Sequence, residues 1–198
     1  MASSPTPVVL VTAGSAGLGA ATARLFAQHG YRVVVNYITN AQRADILCAE
    51  LDGDGHVAIQ ADLGSRNDVE RLVHVAYTQM GRLDVVFSNG GWTRFSITTS
   101  LDDNAVEADW DRAFAVNVKS HLWLLQAARP HLDEVEGAFV ATSSIAGVQG
   151  MGSSLVRFLD PPGSTVSNYH SKDCASSPEI NDVVFFRLIR LRRLHSYT

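Results

Sequence analysis

The sequence predicts a doubly wound α/β fold built on a parallel sheet, and three observations carry that prediction. Short Val- and Ile-rich runs alternate with longer segments of helical apolar period, and a glycine-rich turn joins the first run to the first helix. The chain has 198 residues, 46% hydrophobic and 18% charged, with a net charge of −4, the profile of one soluble globular domain. Helix-length connections between strands imply right-handed crossovers, and hence a parallel sheet covered on both faces.

The elements follow in order. Val8 to Thr12 is an uninterrupted apolar run, as a strand buried on both faces requires, and Gly17 to Gly30 follows as a helix with Leu18, Ala21 and Leu25 as its expected buried stripe. Tyr31 to Asn36 is the second strand and Ala41 to Leu51 the second helix. His56 to Gln60 is the third strand, and Ser65, a cap, opens a helix to Met80. Leu83 to Ser88 is the fourth strand and Gly137 to Ser143 the fifth. Between them Val106 to Ala128 reads as one helix, with Trp110, Phe114, Asn117, His121 and Leu124 stepping along a single face suited to burial.

Composition excludes several functions. With 16 basic against 20 acidic residues and no basic block in the first 155 positions, phosphate-backbone binding has no electrostatic footprint, and nucleic acid is not an expected partner. Cys48 and Cys174 stand alone, so neither a disulfide framework nor a metal site is expected, and a reducing compartment fits. The start, MASSPTP, has no Lys or Arg before Arg24, and no apolar run approaches membrane length. A cytoplasmic protein without membrane contact is the expectation.

Composition shifts after Leu155. Residues 1–155 contain 22 Ala and carry a net charge of −6, whereas residues 156–198 contain one Ala, three of the six Pro and a net charge of +2. Pro161, Pro162 and Pro178 interrupt the stretch from Val156 to Glu179, where no helical period appears. The chain therefore divides into an α/β domain over 1–155 and a tail over 156–198 that is expected to be poorly ordered.

The first turn reads Thr12-Ala13-Gly14-Ser15-Ala16-Gly17-Leu18-Gly19. Glycines let the backbone approach phosphates and let the helix pack closely on the sheet, while the helix N-terminus offers free N–H groups and partial positive charge. A strand before and a helix after make it a diphosphate-binding turn of Rossmann type. At the end of the second strand, where a carboxylate would bond a ribose 2′-hydroxyl, stand Asn36 and Tyr37. Nothing there repels a 2′-phosphate, which favours NADP over NAD. The preference is soft, because no Arg stands at the usual positions and Ala16 has no charge. Asn36 also reads as an ordinary strand-end residue.

The turn, Val33 to Tyr37, Ala61-Asp62-Leu63, Ser88 to Gly91, Asn117 and Ser143 to Gly147 together resemble the short-chain dehydrogenase/reductase family in order and spacing, over about residues 7–155. The resemblance implies a Rossmann-like sheet ordered 3-2-1-4-5 and NADP or NAD as cofactor. It implies hydride transfer between nicotinamide and a small-molecule carbonyl or alcohol, and a homo-oligomer. It further implies that Asp62 and Leu63 contact adenine, that Asn89, Gly90 and Gly91 hold the fourth strand against the cofactor, that Asn117 supports a proton relay, and that Ser144 polarises the substrate carbonyl. Taken singly, Asp62 also reads as a turn residue, Asn89 as a strand end, Asn117 as a satisfied core amide and Ser144 as a loop hydroxyl. Two departures stand out: Ala13 replaces a glycine, tolerable if its φ stays negative, and Gly90 replaces an alanine, a small change.

The family's proton donor is a Tyr followed one helical turn later by Lys, about thirteen residues past the active Ser; the Lys charge lowers the Tyr pKa from about 10 toward working pH. This chain has only Tyr169 and Lys172, three apart in a Pro-flanked segment 25 residues past Ser144. The codons of Arg187 to Thr198, read in a shifted frame, permit Ala-Tyr-Ser-Pro-Ser-Lys-Ala-Ala-Leu-Ile-His. Joined to Leu155, that stretch puts its Tyr at the family's spacing. The tail is accordingly expected to be translated intron followed by the next exon out of frame. Read literally instead, Arg187 to Leu194 is a basic amphipathic helix for an anionic surface.

A domain ending here leaves the fifth strand as an open apolar edge and lacks the helix that builds the family's dimer face, so aggregation replaces ordered oligomerisation as the expectation. Three functional readings follow: a reductase by ancestry impaired in this chain, a non-catalytic nucleotide-binding isoform, or an unstable fragment.

Overall fold

The computed structural model describes residues 5–94, 101–144 and 184–190. Five parallel strands form the body of the sheet: β1 Val8–Val11, β2 Arg32–Tyr37, β3 Val57–Gln60, β4 Val85–Ser88 and β5 Ala138–Ser144. Their order is β3-β2-β1-β4-β5, as the resemblance implies, with the switch point between β1 and β4. Alternate residues of each strand serve two cores. Val8, Leu10, Val34, Val86 and Phe139 meet α3 (Arg66–Met80) and α6 (Ser120–Glu134) on one face. On the other, Val9, Val11, Val33, Val35 and Phe87 meet α1 (Gly17–Gln28) and α2 (Ala41–Glu50).

The buried stripe of α1 differs from the expected one. Leu18 and Leu25 are 40% and 55% exposed and Ala21 is exposed, while Gly19, Ala20, Ala23 and Ala27 face the sheet. The cause is close approach. A Cβ on Gly19 would strike the Ala13 carbonyl oxygen, and one on Gly14 would lie 2.8 Å from the Val11 carbonyl oxygen, so only the smallest residues fit beneath the helix.

The helix predicted over 106–128 is present with two changes. It consists of α5 (Glu107–Phe114), a π-turn (Ala115–Lys119) and α6, and it runs past Ala128 to Glu134 through Pro130. Pro130 is exposed and Leu132 beyond it is fully buried, so packing outweighs the lost hydrogen bond. The π-turn inserts one residue and moves the seam. Ala113, Val116, Ser120, Leu124, Ala128 and Leu132 are buried, whereas Trp110, Phe114, Asn117 and His121 are only partly covered. A short helix, α4 (Leu101–Asn104), was not foreseen.

The edge of β5 is covered, against expectation. β6, Val184–Arg190, runs antiparallel along it from Ser144 opposite Val184 to Ala138 opposite Arg190. The segment is strand and not amphipathic helix over these residues. Its Val, Phe and Ile favour a pleated surface, and the unpaired N–H and C=O groups of β5 offer one. Tyr169 and Lys172, like residues 145–183 as a whole, lie outside the described residues.

Candidate functional site

The C-terminal ends of β1, β2 and β4 converge on the glycine-rich turn. Thr12 is buried and knits β1 to β4: its hydroxyl accepts the Asn89 N–H at 2.8 Å and the Gly90 N–H at 3.1 Å. Asn89 in turn donates to the Thr12 carbonyl at 3.4 Å and accepts the Thr142 hydroxyl at 3.2 Å, so one side chain spans from β1 to β5. The resemblance gave Asn89 to Gly91 the role of holding the fourth strand against the cofactor; the hydrogen bonds at Asn89 and Gly90 tie that strand end to its neighbours. At Gly90 a Cβ would collide with the Leu63 side chain. That contact is with the far end of a flexible side chain, which can turn aside, so glycine in place of alanine stays a small change.

Around the turn, Gly14 and Ser15 are buried while Ala16 and Gly17 are exposed. Ala16 caps α1 without a side-chain hydrogen bond, and no acidic residue sits in the first helical turn. Gly17 has φ +51°, and a Cβ there would meet nothing within 4 Å, so open space lies over the helix N-terminus. Ala13 has φ +48°, the left-handed conformation that an alanine tolerates poorly. The condition that its φ be negative is not met. Two bonds hold it there: the Ala13 N–H donates to Asn36 Oδ1 at 3.0 Å, and the Gly14 N–H donates to the Asn36 carbonyl at 2.8 Å.

Asn36 is 1% exposed, and its Nδ2 lies within 3.3 Å of the Tyr37, Ile59 and Ala61 carbonyls. Its side chain thus faces inward and fixes the turn; a ribose cannot reach it. Tyr37, half-buried, ends the strand beside it. Near this strand end the sequence reading missed one cation. Arg43, in the first turn of α2, donates from Nη2 to the Ser15 hydroxyl at 3.4 Å. Its signal was Asn40, whose side chain accepts the Arg43 N–H at 2.8 Å and caps the helix that carries it.

Asp62 follows β3 and is held by Arg112 of α5 through two bonds of 2.8 Å, with the Gly64 N–H donating to the same carboxylate. The guanidinium holds the Asp62 carboxyl below its ordinary range. Leu63 is buried against Gly90. Asn117, in the π-turn, accepts the Trp92 N–H at 2.7 Å and donates to the Trp92 carbonyl at 2.9 Å, clamping the chain after β4. Four residues on, His121 Nδ1 lies 2.6 Å from the buried Ser88 hydroxyl, and burial lowers its pKa, opposed by a hydrogen bond to the Asn117 main chain. Ser144 ends β5, on the same C-terminal edge as the turn. Among the described residues no group of three or more His, Cys, Asp or Glu is placed to hold a metal, and no helix is long and apolar enough to cross a membrane.

Comparison with known proteins places this arrangement. The sequence model of one family, short chain dehydrogenase, matches residues 7–156. Versicolorin reductase of Emericella nidulans is 33% identical over 146 residues, covering 73% of this chain and 54% of that protein. The 3-oxoacyl-acyl-carrier-protein reductase of Staphylococcus aureus is 32% identical over 148 residues, covering 73% of this chain and 58% of that protein. The chain thus spans little more than half the length of these curated relatives. Among solved structures, a short chain dehydrogenase from Burkholderia cenocepacia in complex with NADP matches with a TM-score of 0.69 and 30% identity, over 80% of this chain and 62% of its own. NADPH-dependent 3-quinuclidinone reductase from Rhodotorula rubra, at 22% identity and a TM-score of 0.64 over 72% of this chain and 54% of its own, shares the fold. By the match across residues 7–156 and by its strand order, the chain belongs to the short chain dehydrogenase family.

Proposed function

We propose that this chain binds a nicotinamide dinucleotide, NADP in preference to NAD, across the C-terminal ends of β1 and β4, and descends from a reductase of small carbonyl or alcohol substrates. The observation that carries the reading is the uncapped, acid-free N-terminus of α1 beneath open space at Gly17, which fits a diphosphate. Reductases among the relatives, and the NADP bound by the Burkholderia neighbour, support it.

When bound, the nicotinamide would supply or accept the hydride. The chain's own residues divide the remaining work. The α1 N–H groups hold the diphosphate, Asp62 and Leu63 border the adenine, and Thr12 with Asn89 keeps β1, β4 and β5 in register. Ser144 orients the carbonyl, and Asn117, by fixing Trp92, shapes the wall beside it. A proton donor of the Tyr/Lys kind is what this chain lacks; Tyr169 and Lys172 are not spaced to share that task. On the shifted-frame reading of Arg187 to Thr198, the pair belongs to a correctly spliced product. Turnover of the 198-residue chain is therefore expected at or near background.

The test is titration with NADPH, followed by fluorescence, alongside ketone reduction. Binding without turnover is the expected result. Robust reduction abolished by Tyr169→Phe overturns the impaired reading, and absence of binding overturns the cofactor site. Transcript sequence across the codons of Gly150 to Thr198 decides the splicing reading, which ends if the required bases are missing. The pairing of β6 with β5 favours a second reading, in which the tail is a genuine part of a non-catalytic nucleotide-binding isoform. It predicts that the segment carrying Val184–Arg190 resists protease.

A further inference from the structure

We infer that His121 is a positioning residue for the wall of the site: it braces the π-turn against the end of β4, and so sets the grip of Asn117 on Trp92. The inference rests on the reading above that Trp92 forms the wall beside the substrate carbonyl. The His121 Nδ1 lies 2.6 Å from the Ser88 hydroxyl, and Ser88 is 1% exposed. The same ring bonds the Asn117 main chain, four residues back.

A π-turn needs such a brace. The Ser120 N–H reaches back five residues to the Ala115 carbonyl, a wider loop than the α-helical bond and a rare one inside a helix. Side chains on its far border add what the main chain lacks. The Ser120 hydroxyl donates to the Val116 carbonyl at 2.5 Å, with both residues buried, and His121 beside it reaches across to β4.

These bonds close a ring of contacts around the strand end. Ser88 opens the stretch and meets His121; Trp92 closes it, its N–H and carbonyl both held by the Asn117 amide at 2.7 and 2.9 Å. Between them the Asn89 and Gly90 N–H groups are held by Thr12. His121 joins the two ends, because it ties the strand to the π-turn and the π-turn carries the amide that fixes Trp92. An apolar side chain in its place leaves the Ser88 hydroxyl buried without that partner, which favours rearrangement of the turn over the present geometry.

The test is fluorine NMR of the full chain labelled with 5-fluorotryptophan, in which Trp92, Trp110 and Trp123 each give a resonance, that of Trp92 assigned by Trp92→Phe. His121→Leu should move the Trp92 resonance and weaken NADPH binding about 3- to 10-fold. His121→Gln, whose amide both donates and accepts, should restore the wild-type resonance. Where His121→Leu fails to fold, Ser88→Ala replaces it and should move the same resonance. An unmoved Trp92 resonance in the folded variant, equal displacement in His121→Gln, or unchanged NADPH affinity overturns the assignment. A wild-type chain that does not bind NADPH overturns the cofactor reading, and the Trp92 resonance, which needs no ligand, still decides the brace.

Discussion

The Asn36 carboxamide oxygen accepts the Ala13 main-chain N–H at 3.0 Å, so the end of the second strand holds the phosphate turn of the first. The two residues are 23 positions apart, and the bond joins two features that the sequence presents separately: a missing motif glycine and a missing strand-end carboxylate. Asn36 oriented in this way cannot face the ribose, because its carboxamide serves the turn and the Tyr37, Ile59 and Ala61 carbonyls.

Asn36→Leu should therefore act on stability and binding together. It leaves the Ala13 N–H and the Ile59 and Ala61 carbonyls facing an apolar group, at a cost of about 2 to 4 kcal/mol. Chemical denaturation should show a lower midpoint at unchanged slope, and NADPH affinity should fall as the turn loosens. A midpoint equal to wild type would mean that water replaces the amide without loss.

Ala13→Gly should stabilise the fold. A left-handed alanine costs about 1 to 2 kcal/mol, and glycine's greater unfolded-state freedom offsets about half of that, leaving a net gain of about 0.5 to 1 kcal/mol. The readout is the urea midpoint, expected to rise. A fall would place Ala13 at negative φ in solution and contradict the value of +48°.

His121 should make stability depend on pH on the acid side of neutrality. Its folded pKa is lowered, chiefly by burial, below the ordinary value of 6.5, so the unfolded chain takes up the proton first. Stability should then be full above about pH 6.5 and decline as pH falls toward the folded value, by at most about 1.4 kcal/mol per pH unit from this group. Denaturation of wild type and His121→Gln at pH 7.5 and 5.5 isolates the effect. Equal slopes for the two proteins would remove His121 as its source.

Local physics explains what was readable in advance. Val8 to Val11 reads as a strand covered on both faces, and the alternation of strands with helices implies right-handed crossovers and a parallel sheet; the order β3-β2-β1-β4-β5 was legible only through the resemblance to the family. The glycine pattern located the turn, because close backbone approach admits only small residues whatever surrounds them. Ser65 was recognisable as a cap for the same reason: its hydroxyl accepts the Asp68 N–H three residues on.

What the tertiary structure alone decided involves competition between distant groups. Leu18 and Leu25 satisfied the helical period, yet the sheet lies too near for them, and the alanines between were buried instead. The phase of the long helix depended on a π-turn that places Asn117 against Trp92, a contact between two elements and not a property of either. Arg43 looked like any surface arginine until α2 brought it over Ser15. A one-dimensional pattern records which residues prefer burial, a strand or a turn; which one faces the ligand depends on backbone distances set only when all five parallel strands are assembled.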